Sequence, residues 1–111
     1  MSSRSDQAYL KDILEACQRA CAYTADMTFE QFLTDTKTQD AVIRNVEIIG
    51  EAIKQLTDAV TERHTDIPWS QAARMRDRLI HHYFGINLDV VWSVIREDLP
   101  VLRQQIQEIV D

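Results

Sequence analysis

Apolar residues recur along most of this chain at intervals of three and four, the pattern of amphipathic helices. From Asp6 to about Asp26 the positions Ala8, Tyr9, Ile13, Leu14, Ala16, Cys17, Ala20, Cys21 and Thr24 trace one stripe and predict a long helix. Thr28, with Gln31 three residues on, has the form of a capping box and opens a short helix through Phe29, Phe32 and Leu33. Thr36-Lys37-Thr38 reads as a break and a second cap. A second long stripe runs from about Gln39 to His64 through Ala41, Val42, Val46, Ile49, Ala52, Ile53, Leu56, Ala59 and Val60. Gly50 interrupts it. A glycine inside a helix costs about 1 kcal/mol relative to alanine, so its presence here points to another helix approaching where a Cβ would stand.

Thr65-Asp66-Ile67-Pro68 reads as a loop, with Pro68 suited to a first helical turn because its missing N–H costs nothing there. A helix from about Trp69 to Tyr83 follows, closed at Phe84-Gly85-Ile86-Asn87 with Gly85 as its terminator. The last helix spans about Leu88 to Val110. Pro100 lies within it and should kink it or split it near Asp98, since the ring removes a donor and crowds the preceding turn. No alternating strand pattern is present. The expected fold is all-α, an antiparallel bundle of four main helices plus a short helix. A single domain over 1–111 fits the length. Some faces carry more apolar side chains than a small monomer covers, which points to a homodimer.

Composition narrows the function. With 12 basic and 18 acidic side chains the formal net charge is −6, so the chain has no wholesale basic footprint for nucleic acid. The cations are unevenly placed: nine of the twelve are Arg, and Arg74, Arg76 and Arg78 fall within five residues, followed by His81 and His82. A local arginine cluster can still grip one phosphate. Cys17 and Cys21, one helical turn apart, read as small buried hydrophobes, with a disulfide or metal pair the less economical reading. No apolar run reaches the ~18 residues of a membrane span and no signal-peptide core is present, so a soluble, cytoplasmic protein is expected.

Phosphate-binding loops, dinucleotide fingerprints and zinc-protease helices are all absent. The chemistry concentrates in Arg74-Met-Arg-Asp-Arg-Leu-Ile-His-His-Tyr83: three guanidiniums, two imidazoles, a carboxylate and a phenol. On an ideal helix Arg76 shares a face with Tyr83, and Asp77 shares another with His81. Arg76 and His81 then stand about 140° apart. Such a set suits RNA phosphodiester cleavage without a metal or cofactor. A base takes the 2′-OH proton, an acid protonates the leaving 5′ oxygen, and a cation faces the charge developing at phosphorus. Histidine serves as acid or base near neutrality, and arginine holds phosphate oxygens through its planar fork. A solvated, ion-paired helix face is the competing reading, in which Asp77 and His81 form a surface pair worth a few tenths of a kcal/mol. A metal held by His81, His82 and Asp77 is disfavoured, because adjacent histidines on a regular helix point about 100° apart.

The segment Arg76-Asp77-Arg78-Leu79-Ile80-His81-His82-Tyr83 resembles the motif of HEPN-domain ribonucleases, an arginine followed after four to six residues by a histidine. The longer spacing Arg, four residues, His, one residue, Tyr resembles the HepT branch. Arg44-Asn-Val-Glu-Ile-Ile-Gly-Glu-Ala-Ile-Lys54 resembles that branch's third-helix signature, and Asp66-Ile-Pro-Trp-Ser70 the lead-in to its motif helix. The resemblance implies a HEPN-like homodimer with an RNA cleft where two motif helices meet. It also implies a toxin–antitoxin pair whose partner, a minimal nucleotidyltransferase, silences the ribonuclease by attaching AMP to a tyrosine. Carried over residue by residue, Arg76 and His81 are catalytic, Asp77 is supporting, and Tyr83 is the AMPylation site. Arg74, Arg78 and His82 are candidates for RNA contact by proximity. Glu47 and Glu51 are expected to pair with an arginine at the interface. No cofactor and no metal are expected. The alternative is a non-catalytic helical interaction or dimerisation module that binds a nucleotidyltransferase.

Overall fold

Three long helices carry the apolar stripes in the computed structural model, which describes residues 4–81 and 85–111. Helix α1 (Asp6–Thr24) is capped by Ser5, whose Oγ accepts the Ala8 amide at 3.1 Å, and it buries Leu10, Ile13, Cys17 and Ala20. Helix α2 (Phe29–Leu33) opens with both hydrogen bonds of the expected capping box, exchanged between Thr28 and Gln31. Helix α3 (Thr36–Lys54) packs along α1 and buries Val42, Val46, Ile49 and Ile53. Its cap is Asp35 rather than the threonines that follow. The Asp35 carboxylate accepts the Thr38 amide at 3.0 Å and the Thr38 hydroxyl at 2.7 Å, and these bonds hold its carboxyl below the ordinary value.

The second apolar stripe does not run unbroken to His64. Helix α3 stops at Lys54 and a short α4 (Asp58–Arg63) starts afresh after Thr57. The cause is tertiary. Thr57 is extended, at φ −77° and ψ 161°, and donates its amide and hydroxyl to the Asp6 carboxylate at 2.9 and 2.5 Å. These bonds tie the start of α1 to the start of α4 across fifty residues of sequence, and periodicity alone carries no sign of them.

Helix α5 (Trp69–Ala73) follows Pro68, which sits just outside the helix as its cap residue rather than in its first turn. The Trp69 indole donates to the His64 carbonyl at 2.9 Å. Here the glycine in α3 finds its reason. A Cβ built on Gly50 would lie 2.8 Å from the backbone carbonyl oxygen of Ala73, closer than real Cβ contacts come. α5 therefore seats directly on the backbone of α3, as the sequence implied.

The C-terminal stretch divides into α7 (Leu88–Ser93), a five-residue π-helical turn over Val94–Asp98, and α8 (Leu99–Val110). The predicted split falls at Asp98. Pro100 has no N–H for the Arg96 carbonyl and its ring would crowd it. Widening the preceding turn removes the conflict, and Leu99 donates to the Val94 carbonyl five residues back. The widened turn also carries Arg96, which donates to the Thr24 and Met27 carbonyls at 3.0 and 2.7 Å and lies over the Trp92 ring, 4.3 Å from its centroid. A guanidinium at those carbonyls satisfies the end of α1 and complements its dipole. Trp92 packs at a tilt against Phe29 and Phe32, with ring centroids 5.8 and 5.2 Å away.

Leu99, Leu102 and Ile106 of α8 complete the core against α1. Cys17 is buried and Cys21 half-buried, and both are free thiols. Burial first, and the neighbouring Cys21 second, push the Cys17 thiol up to about 12, so it behaves as the small hydrophobe its position predicts. The fold is mostly helical. Among the described residues its strand content is one antiparallel pairing of two residues each. Among the same residues no helix is long and apolar enough to cross a membrane.

Candidate active site

The arginine-rich segment is not one helix from Trp69 to Tyr83. α5 ends at Ala73, Arg74 takes φ −104° and ψ 13°, and a separate α6 runs over Met75–Leu79. The break coincides with the point where the Ala73 carbonyl meets Gly50. α6 is anchored by Met75 and Leu79, four residues apart and buried, which leaves Arg76, Asp77 and Arg78 exposed. Ile80 is already extended, at φ −113° and ψ 126°. The strands β1 (Ile80–His81) and β2 (Gly85–Ile86) pair antiparallel, Ile80 with Ile86 and His81 with Gly85. The Asn87 amide then donates to the Leu79 carbonyl at 2.8 Å.

Two expectations change. Gly85, at φ +78°, supplies the left-handed residue of the returning strand rather than the stop of a long helix. His81 is in a strand, so the 140° separation from Arg76 on an ideal helix does not apply. The backbone changes from helical to extended between Leu79 and Ile80, so helical spacing no longer relates the two positions. His82 and Tyr83 lie outside the described residues.

The charged side chains of α6 divide between two flanks. On one, Arg74, Asp77 and Arg78 line an open groove of about 570 Å³ together with Gln71. On the other, Arg76 and Asp77 face α3 across a depression of about 190 Å³, which Glu47, Gly50, Glu51 and Lys54 also line. Asp77 borders both. The structure thus joins Arg74, Asp77 and Arg78 on one flank, and it turns Arg76 the other way.

The three arginines are held differently. Arg78 Nη1 donates to Asp98 Oδ2 of the π-helical turn at 3.0 Å. Arg74 Nε reaches the Ser70 carbonyl at 3.4 Å within its own segment. Arg76 has Glu47 as its charge partner, with Nε 3.8 Å from Oε2, beyond hydrogen-bond distance. Of the two glutamates expected to meet an arginine, Glu47 does so within the chain. Glu51 instead faces Lys54 at 3.7 Å. Sequence reasoning missed Asp98, which read only as a helix boundary. Its partner stands twenty residues away, and no local spacing announces the pair. Among the described residues no group of three or more His, Cys, Asp or Glu is placed to hold a metal ion.

The family profile described as Ribonuclease HepT-like matches residues 13–109. A protein of Thermococcus cleftensis named as a probable ribonuclease HepT is 46% identical over 106 residues, covering 96% of this chain and 96% of its own length. A Methanocaldococcus jannaschii protein named as a candidate RNase is 44% identical over 110 residues, covering 99% of this chain and 91% of its own. One from Caldanaerobacter subterraneus, named in the same way, is 39% identical over 106 residues, 96% of this chain and 95% of its own. No solved structure matches.

Proposed function

We propose, from the premise that this chain belongs to the HepT-like ribonuclease family, that it is an endoribonuclease whose active centre is built on α6 and the strand that follows. The observation that carries the reading is the run Arg76-Asp77-Arg78, solvent-exposed on a short helix pinned by Met75 and Leu79 and leading directly into His81.

In the proposed reaction the 2′ oxygen of a ribose attacks the adjacent phosphorus and the bond to the 5′ oxygen breaks, leaving a 2′,3′-cyclic phosphate. A base removes the 2′-OH proton and an acid returns a proton to the departing oxygen. His81 fills one of these roles, since imidazole titrates near neutrality. Arg76 faces the charge growing on the phosphoryl oxygens. Asp77, bordering both flanks of α6, shapes the pocket, and Arg74, Arg78 and His82 contact the RNA backbone. A homodimer would bring two such centres to one cleft, which agrees with the local grouping of cations on a chain of net charge −6.

The same reading makes the chain the toxin of a toxin–antitoxin pair, acting in the cytoplasm and silenced on Tyr83. The phenol oxygen attacks the α-phosphorus of ATP, pyrophosphate leaves, and the phenol proton goes to solvent. A minimal nucleotidyltransferase would supply the catalysis. The added phosphate and nucleoside place negative charge and bulk two residues from His81 and repel RNA. The test is intact mass of the protein expressed alone and with such a nucleotidyltransferase. One or more AMP units on Tyr83 only in co-expression, with relief of growth arrest, is the expected outcome. An unmodified mass in both cases, with normal growth throughout, would favour a non-catalytic helical module that binds the same partner.

A further inference from the structure

Arg76 is held by charge and not by hydrogen bonds. Its nearest anion is Glu47, on the turn of α3 just before Gly50, with Nε and Oε2 3.8 Å apart. No acceptor among the described residues takes a hydrogen bond from its guanidinium, whereas Arg74 and Arg78 each donate one. The side chains of Arg76 and Glu47 are 48% and 35% exposed. An exposed pair of this kind is weak and yields to a stronger anion. The seat is nevertheless fixed, because the Ala73 carbonyl rests against Gly50 one turn along α3. That contact sets the backbone spacing between Glu47 and the start of α6.

We propose that Glu47 is a positioning residue for Arg76. Its carboxylate aims the guanidinium from the α3 side, keeps the N–H donors free for phosphate, and competes with the incoming phosphate for the same cation. The proposal rests on the ribonuclease reading above and extends it to a residue outside the arginine–histidine segment. It has a two-sided consequence. With the carboxylate neutralised, ground-state RNA no longer meets a competing anion and binds more tightly. The guanidinium is also less well aimed at the phosphoryl oxygens when their charge grows, so turnover falls.

The experiment compares wild type, Glu47→Gln, Glu47→Asp, Glu15→Gln and Arg76→Ala on one RNA oligonucleotide. Binding of its uncleavable 2′-O-methyl analogue is measured alongside. Glu47→Gln should lower KM and the analogue's Kd about threefold, as expected for loss of one exposed charge pair. It should lower kcat about tenfold. Glu47→Asp should restore part of kcat. Glu15→Gln, which removes the same charge from an exposed pair with Arg19 on α1, should leave kcat unchanged. If Glu47→Gln leaves kcat, KM and analogue binding at wild-type values while Arg76→Ala abolishes cleavage, the positioning role is wrong and the ribonuclease reading stands. If Glu47→Gln lowers kcat with raised KM and a lowered melting temperature, its role is structural and the proposal fails. If Arg76→Ala cleaves like wild type, the ribonuclease reading falls and takes this proposal with it.

Discussion

Arg76→Ala and His81→Ala should each lower RNA cleavage by about 100- to 1,000-fold, the usual cost of removing a transition-state cation or a general acid–base group. The Arg76 substitution should do so without loss of stability, because its side chain is half exposed and its charge partner among the described residues is a surface carboxylate beyond hydrogen-bond distance. The double substitution should cost little more than the worse single one, since groups that act on one transition state are not additive. Arg78→Ala gives the contrast. It breaks a hydrogen-bonded pair with Asp98, and if Arg78 only contacts backbone phosphate it should weaken RNA binding uniformly across sequences and flatten the salt dependence. Initial rates on a labelled oligonucleotide, with thermal melts of each variant, separate these outcomes. Equal rates for wild type and Arg76→Ala would remove the motif arginine from the chemistry.

Gly50→Val should damage the fold and the candidate site together. Its Cβ would stand 2.8 Å from the Ala73 carbonyl oxygen, and that neighbour is backbone, which cannot rotate away. Overpacking of this kind costs about 1–3 kcal/mol. Relief requires α5 to move off α3, and α5 leads straight into the break at Arg74 and the arginines of α6. Stability and cleavage should therefore fall together, whereas substitution at Arg76 separates them. Gly50→Ala is the sharper test. On an isolated helix alanine would gain about 1 kcal/mol over glycine, but here the same Cβ meets the same carbonyl, so the urea midpoint should drop. A raised midpoint would mean that α3 and α5 are not in the contact described.

How far the sequence announces this structure depends on whether the cause is local. The capping box at Thr28 and Gln31, the stripe of α1, the burial of Cys17 and the meaning of Gly50 are all legible, because each depends on spacing within a few residues or on a residue type with one physical excuse. The break at Thr57 is not, since it is made by Asp6 at the far end of the sequence. Pro100 marks a point of division from its chemistry alone, yet the π-helical turn that absorbs it, and the use of that turn to place Arg96 and Asp98, depend on the neighbouring elements. In the candidate site the residue types and their order were visible from the start, while their directions were not. The ideal-helix relation between Arg76 and His81 does not apply, because the helix breaks at Arg74 beside the contact with α3 and the backbone is extended from Ile80. Glu47 was singled out by its charge and by the segment that contains it, and its partner proved to lie in the same chain.

The most direct measurement is end-group analysis of RNA cut by the unmodified protein in the presence of excess chelator, with Arg76→Ala and His81→Ala in parallel. The expected result is cleavage that persists in chelator, leaves a 2′,3′-cyclic phosphate and a 5′-hydroxyl, and disappears in both variants. Ends bearing a 5′-phosphate, cleavage that stops on chelation, or equal products from wild type and both variants would contradict a centre built from Arg76 and His81.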